Sequence, residues 1–93
     1  MANSTLLSSY VNSTGTGTSI TGACAIAISD LSVHEYVTIQ HSASDANYRT
    51  LVRRAGPDPA PFYIQNPGTY FLKAILSGVS GTRSAAVAVV AQQ

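Results

Sequence analysis

Apolar residues alternate with polar or small residues in several short stretches of the chain, and this period of two predicts β-strands. In one of them Ile20, Cys24, Ile26 and Ile28 share one face, while alanines share the other. The stretches that alternate in this way are 20–29, 35–41, 48–54, 62–65, 69–77 and 84–91. No segment keeps the 3.6-residue period of a helix over the roughly 10 to 12 residues that a helix needs. The pattern predicts an all-β fold, either a sandwich or a barrel.

The first 18 residues differ from the rest, because Ser, Thr, Asn and Gly dominate them and they have no periodic apolar face. This composition predicts an N-terminal arm, residues 1–18, in front of a single domain of residues 19–93. Within the arm, Leu6, Leu7 and Tyr10 supply apolar side chains. They are expected either to pair within a short edge strand or to lie on a neighbouring molecule, and we predict them as interface residues.

Charged residues are scarce, since they make up 10% of the 93 residues, where about 25% is usual, and 45% are hydrophobic. So few charges indicate that part of the surface is covered rather than exposed to water. The net charge of +1 gives no field to attract nucleic acid or an anionic membrane. No apolar run approaches the roughly 20 residues of a membrane span. The first residues lack the basic and apolar regions of a signal peptide, so we expect synthesis in the cytoplasm without export.

Candidate catalytic and metal-binding side chains are present but follow no known motif. His34, His41, Asp30 and Asp45 could supply a hydrolase triad with one of the many serines, yet no motif fixes their geometry. The two histidines and the single cysteine, Cys24, do not have the spacing of a metal site. The sequence therefore predicts a protein that is not an enzyme and holds no cofactor or metal.

The segment "YRTLVRR" is the one cluster of positive charge, with Arg49, Arg53 and Arg54. Strand alternation places Arg49 and Arg53 on the same face. One interpretation is a solvated edge strand that its charges protect from unwanted pairing. The other is a docking site for an acidic protein surface, since arginine pairs well with carboxylates.

The segment "NPGTYFL" resembles the tyrosine corner of immunoglobulin-like domains, with Asn66, Gly68 and Tyr70 in the motif positions and Leu72 where the second cysteine stands. Cys24 then takes the place of the first cysteine. The resemblance implies an immunoglobulin-like antiparallel β-sandwich of about six to eight short strands. It also implies a glycine-dependent turn and an inward tyrosine whose hydroxyl bonds to nearby backbone.

An inward Tyr70 places every second residue of its strand in the core and leaves Phe71 and Ile75 on the outside. The immunoglobulin-like arrangement would put the last strand and the 35–41 strand on either side of this one. The outer face of the three strands would then be apolar, and such a patch usually marks association. We predict an interface made of Tyr36, Thr38, Phe71, Ile75, Ala86, Ala88 and Val90.

Small immunoglobulin-like domains with Ser/Thr-rich arms and no export signal are similar to the decoration or cement proteins of tailed-phage virions. The resemblance implies a non-enzymatic structural protein of the virion that docks on the major capsid protein, as a homo-oligomer, with a trimer favoured. The alternative is a carbohydrate-binding or adhesin-like module. Tyr48, Phe62 and Tyr63 would then form its aromatic platform.

Overall fold

A computed structural model describes residues 3–57, 59–81 and 83–93 of the chain. These residues form nine β-strands and no helix, so no helix among them could cross a membrane. The strands are β1 (Asn3–Ser9), β2 (Ser13–Thr14), β3 (Thr18–Thr21), β4 (Cys24–Ser29), β5 (Tyr36–Ser42), β6 (Arg49–Ala55), β7 (Phe62–Ile64), β8 (Thr69–Ser77) and β9 (Val87–Gln92).

The strands are arranged in two antiparallel sheets that enclose one core. The four-stranded sheet has the order β1-β9-β4-β7. The five-stranded sheet has the order β2-β8-β5-β6, and β3 pairs with β8 beside β2. The all-β sandwich predicted from the sequence is confirmed. There are more strands than the six to eight expected, because residues 3–21 contribute three of them.

Residues 3–9 of the predicted arm form an edge strand of the sandwich. β1 pairs with β9 along its length, and a bulge between Thr5 and Leu7 shifts the register. A bulge of this kind breaks the simple alternation of faces, and both Leu6 and Leu7 are buried in the core. The prediction that Leu6 and Leu7 are interface residues is therefore wrong, because they pack inside their own chain. Met1 and Ala2 lie outside the described residues.

The alternating stretch 20–29 is two strands rather than one. Gly22, with a φ of 87°, turns the chain after β3 and so lets it cross from the five-stranded to the four-stranded sheet. Ile20 and Ile26, each 1% exposed, consequently reach the core from opposite sheets.

The core lies between the two sheets and follows the predicted alternation of β8. Tyr70, Leu72, Ala74 and Leu76 are buried. The inward residues of β9 face them from the other sheet. The fully buried side chains with the largest volumes are Ile20, Ile26, Ile39, Leu72, Leu76, Val37, Val87 and Val89.

Tyr70 lies at the start of β8 and ties the two sheets together. Its hydroxyl donates to the Gly22 carbonyl at 2.7 Å and lies 3.3 Å from the Cys24 sulfur. Burial, and then the contact with Cys24, raises the pKa of this phenol. In a tyrosine corner the hydroxyl bonds to backbone a few residues upstream, whereas here its partner lies 48 positions away. The tyrosine thus fixes the turn between β3 and β4.

The connection from β8 to β9 crosses between the sheets and does not form a hairpin. Residues 78–86 carry the chain from the five-stranded sheet to the four-stranded one, where β9 lies between β1 and β4. β8 instead has β5 on one side and β2 and β3 on the other. The expected neighbourhood of β5, β8 and the last strand on a single face is therefore wrong.

Candidate functional site: the loop end of the sandwich

Three connections meet at one end of the sandwich, around the side chain of Arg83. They are residues 10–12 between β1 and β2, residues 30–35 between β4 and β5, and residues 78–86 between β8 and β9. Arg83, in the third of these connections, donates hydrogen bonds to groups in all three. We call this region the loop end.

Two nitrogens of the Arg83 guanidinium bond to the 30–35 loop, and the third bonds within the 78–86 connection. Its Nη1 donates to Glu35 Oε1 at 2.5 Å and to Ser32 Oγ at 2.9 Å, and its Nη2 donates to the Asp30 carbonyl. Its Nε donates to the Ala85 carbonyl at 3.0 Å. The Arg83 amide also donates to the Tyr10 carbonyl at 3.1 Å. One residue therefore joins all three connections.

Glu35 is the counter-ion of Arg83 and is 6% exposed. Burial alone would raise the pKa of its carboxyl group. The hydrogen bonds from Arg83 and from the Ser32 amide, together with the Arg83 charge, outweigh burial and hold this pKa below its ordinary value of 4.5. The folded protein therefore keeps this carboxylate ionised.

The lowered pKa predicts a loss of stability in acid. Glu35 stabilises the fold above its ordinary pKa of 4.5, and this contribution disappears as the pH falls through the lower pKa of the folded state. Urea unfolding at a series of pH values between neutral and acidic should show the decline. The Glu35→Gln variant should be less stable at neutral pH and lose less on acidification. A Glu35→Gln variant with the same pH slope as the wild type would contradict this assignment.

Asn12 provides a second link between the loops. Its Oδ1 accepts from the Val79 amide at 2.9 Å and its Nδ2 donates to the Val79 carbonyl at 3.3 Å. The side chain therefore pairs with the backbone of residue 79 as a neighbouring strand would. Together with Arg83, it fixes the turn after β1 against the loop before β9.

Three large apolar side chains project from these fixed loops into solvent. Tyr10 is 52% exposed, Val11 is 44% exposed and Val33 is 65% exposed. The fourth exposed side chain of this kind among the described residues, Tyr63, is on β7. We call Tyr10, Val11 and Val33 the apolar tip. Tyr10 is the one residue of the predicted arm contacts that the structure leaves available to a partner.

The structure divides the interface predicted for the three neighbouring strands. Tyr36, Thr38, Phe71 and Ile75 do lie on the outer face of the five-stranded sheet, where Thr38 is the cross-strand partner of Ile75. Even there, Thr38 is buried at 7% exposure, and Arg53 stacks over the Tyr36 ring at 4.8 Å. Ala88 and Val90 lie on the outer face of the other sheet, and Ala86 lies in the loop before β9. The seven residues therefore do not form one surface, because β9 belongs to the opposite sheet.

The three arginines of β6 do not form one patch. A register shift opposite Ile39 and Gln40 breaks the alternation of β6, so that Arg53 pairs with Thr38 and Arg49 pairs with His41 on opposite faces. Arg54 turns towards β7, where its guanidinium lies 5.4 Å from the centre of the Phe62 ring. The expectation that Arg49 and Arg53 share a face is wrong. Edge protection remains the better interpretation of the charges.

The aromatic platform of the alternative function is also divided. Tyr48 packs on the five-stranded sheet, with Lys73 Nζ 4.1 Å from its ring centre and its hydroxyl bonded to Asp45. Burial, then this bond and the Asp45 charge, raise the pKa of Tyr48 to about 12. Phe62 packs against the core, and Tyr63 is 64% exposed on β7. These side chains present no common ring surface.

Sequence reasoning missed Arg83, Glu35, Asn12 and Val33. Glu35 and Arg83 are separated by 48 positions, and neither belongs to a recognisable motif. The sequence did carry one signal for Glu35 and Arg83, namely the scarcity of charged residues. The chain has five Lys and Arg residues and four Asp and Glu residues in all. A charge in a Gly- and Ser-rich loop of such a chain is a candidate for a buried pair.

No group of three or more potential metal ligands occurs within residues 3–57, 59–81 and 83–93. Comparison of the chain with protein-family models, with curated proteins and with solved structures finds no match.

Proposed function

We propose that this protein is a non-enzymatic structural protein that docks on another protein through the apolar tip. The observation that carries the proposal is the exposure of Tyr10, Val11 and Val33 on loops whose backbone is already fixed. Exposed apolar side chains grouped at one place on a small domain mark an association site more often than scattered ones do.

The hydrogen bonds of the loop end lower the cost of docking. A loop that becomes ordered only on binding loses conformational entropy, which reduces affinity. Arg83 and Asn12 hold the 10–12 turn against its neighbours before any partner arrives. Tyr10 can therefore act as an aromatic anchor of the kind that dominates many interfaces.

The polar groups at this end support binding rather than catalysis. Each guanidinium nitrogen of Arg83 already donates to a group of its own chain. Glu35 likewise accepts hydrogen bonds from Arg83 and Ser32. A pair saturated in this way positions loops and has no free group to offer a substrate.

The resemblance to phage decoration proteins supplies the proposed setting. In that setting the protein is part of a virion, its partner is the major capsid protein, and several copies act together, with three copies favoured. Repeated weak contacts across a symmetric shell would add up to firm attachment.

Two serine variants test the docking site. We expect the wild type to sediment with tailed-phage capsids stripped of accessory proteins, and the Tyr10→Ser/Val33→Ser variant to remain in the supernatant. Tyr63→Ser is the matched control, because it removes an equally exposed aromatic ring from β7 and should leave capsid binding intact. Both variants should unfold at the wild-type urea concentration within error, since surface changes usually cost less than about 0.5 kcal/mol. A wild-type protein that ignores capsids would contradict the proposal.

The same variants distinguish the proposed docking function from the alternative of a carbohydrate-binding or adhesin-like module. A carbohydrate-binding or adhesin-like module would depend on Tyr63, the aromatic side chain that is exposed outside the loop end. Glycan binding that Tyr63→Ser abolishes, and that Tyr10→Ser/Val33→Ser does not, would favour that alternative.

A further inference from the structure

On one side of the sandwich the two sheets end in strands that do not pair with each other. β6 ends the five-stranded sheet and has seven residues, whereas β7 ends the four-stranded sheet and has three. The Arg54 guanidinium, stacked on the Phe62 ring, bridges the gap between them on the side of the loop end. β7 is too short to cover the rest of β6, and a cavity of about 250 Å³ opens there.

The inner part of this cavity is apolar. Leu72 and Tyr70 of β8 line it, and both belong to the buried core. Leu51 of β6 and Ile64 of β7 add half-buried walls from the two edge strands. The Tyr70 hydroxyl already donates to the Gly22 carbonyl, so its ring carbons are what it can offer a ligand. A molecule in the cavity would therefore rest on the core of the sandwich.

The mouth of the cavity carries an imidazole and a guanidinium. His41 lines the cavity and is exposed. Its cross-strand partner on β8 is Leu72 and its partner on β6 is Arg49. Cross-strand partners have their side chains on the same face of a sheet. Arg49, which is also exposed, therefore lies beside His41 on the face that looks into the cavity.

Two amide side chains, Gln65 and Asn66, complete the mouth from the turn after β7. The Asn66 Oδ1 atom accepts a hydrogen bond from the Gly68 amide at 2.8 Å. This bond occupies the acceptor of the side chain and leaves its Nδ2 group to donate. The mouth consequently offers hydrogen-bond donors from both sheets.

The carboxylates that the structure describes are all placed away from the cavity. Asp30 and Glu35 are at the loop end, where Glu35 pairs with Arg83. Asp45 is bonded to the Tyr48 hydroxyl. Among the described residues, none of the acidic side chains lines the cavity. The positive charge of Arg49 at the mouth thus has no carboxylate of the cavity wall to neutralise it.

We propose that this cavity binds a small carboxylate with an apolar chain, such as a medium-chain fatty acid. An ionised carboxylate only accepts hydrogen bonds, which suits a mouth of donors, and arginine binds it through two parallel N–H groups. The apolar chain replaces water against the core side chains. The volume is slightly below the roughly 300–1,000 Å³ of sites for drug-sized ligands. It equals that of about eight water molecules at about 30 Å³ each, which limits the chain to about eight carbons.

The cavity is a second site, distinct from the proposed docking site. It lies between β6 and β7 towards the end of the sandwich opposite the apolar tip. Fatty-acid binding tests the cavity, and co-sedimentation with capsids tests the tip. Either can fail without the other.

The test is a titration of the full chain with sodium octanoate, below the concentration at which it forms micelles, followed by the chemical shifts of the backbone amides. We expect saturable shifts that centre on residues 49–51, 64–66 and 70–72 around the cavity. Acetate has the carboxylate without the chain, and 1-aminooctane has the chain with the opposite charge. Neither should produce these shifts.

Two arginine variants test the charge at the mouth. Arg49→Gln should raise the dissociation constant of octanoate by at least about tenfold, because hydrogen bonds to charged groups are among the stronger ones. Arg53→Gln is the matched control on the same strand and should leave the constant unchanged, since Arg53 stacks over Tyr36 on the outer face. Leu51→Trp should fill the cavity and abolish binding.

Urea unfolding of each variant shows that it is folded before it is titrated. Arg49→Gln and Arg53→Gln change exposed side chains and should unfold close to the wild type. Three results would overturn the proposal: no saturable octanoate binding, shifts centred on the apolar tip, or equal dissociation constants for Arg49→Gln and Arg53→Gln.

Discussion

Replacement of Arg83 by methionine is expected to lower the free energy of unfolding by about 3–5 kcal/mol, the range found when one partner of a buried ion pair is removed. Methionine keeps much of the aliphatic stem but leaves the Glu35 carboxylate buried without its counter-ion. The carbonyl groups of Asp30 and Ala85 lose a donor as well. Small domains are stable by about 5–15 kcal/mol, so this one change removes a large share of the total.

Urea denaturation at neutral pH measures this loss, and Arg49→Met is the matched control. Arg49 is exposed on β6, so the same substitution there should cost less than about 0.5 kcal/mol. The double variant Glu35→Leu/Arg83→Met should recover part of the loss, because it no longer buries an unpaired charge. Equal destabilisation by Arg49→Met and Arg83→Met would show that the buried pair does not hold the loops.

Gly15→Ala is expected to destabilise the fold by about 1–3 kcal/mol or more, because its methyl group has no space. A Cβ at this position would fall well inside contact distance of the Leu6 carbonyl oxygen, and 3.2 Å from the Ala74 carbonyl oxygen. Both neighbours are backbone atoms, which cannot rotate away. The Gly15 amide is itself held by Ala74 at 2.7 Å, so the segment cannot move without losing that bond.

The matched control is Gly68→Ala, in the turn before Tyr70. The tyrosine-corner resemblance implies that this turn needs a glycine, but Gly68 does not have a positive φ. A Cβ there would lie 3.4 Å from Asn66 Oδ1, an ordinary contact. We therefore expect the alanine variant to keep nearly all of the stability, as measured by thermal and urea unfolding. A Gly15→Ala protein as stable as Gly68→Ala would rule out the tight passage of the chain between the sheets.

The core could be predicted from the sequence because buried side chains recur at every second position of a strand. Alternation along β8 identified Leu72, Ala74 and Leu76 as core residues, and all are buried. The same reasoning failed where the backbone breaks the period. The bulge in β1 turns both Leu6 and Leu7 inward, and the register shift in β6 separates Arg49 from Arg53. A bulge depends on the partner strand, which local sequence does not specify.

The site was harder to predict than the core, because it depends on which loops meet. Tyr10 stands out in the sequence as an apolar residue in a polar segment, whereas Val33 lies between two alternating stretches and has no such signal. Their common location follows from the passage of residues 78–86 between the sheets, where Arg83 reaches Glu35. Nothing in a single sequence distinguishes this crossover from a hairpin between β8 and β9.

The position of β9 also determines the order in which the sandwich can be completed. β9 comes last in the chain among the strands, but it fills the place between β1 and β4 in the four-stranded sheet. Until it arrives, the edge of β1 that it covers has no partner, and β4 has only the short β7. Pairings such as Asn3 with Gln92 close nearly the whole chain into one loop, which slows folding. During synthesis on the ribosome, the five-stranded sheet can assemble first. The uncharged β1 then stays unpaired until β9 has been made.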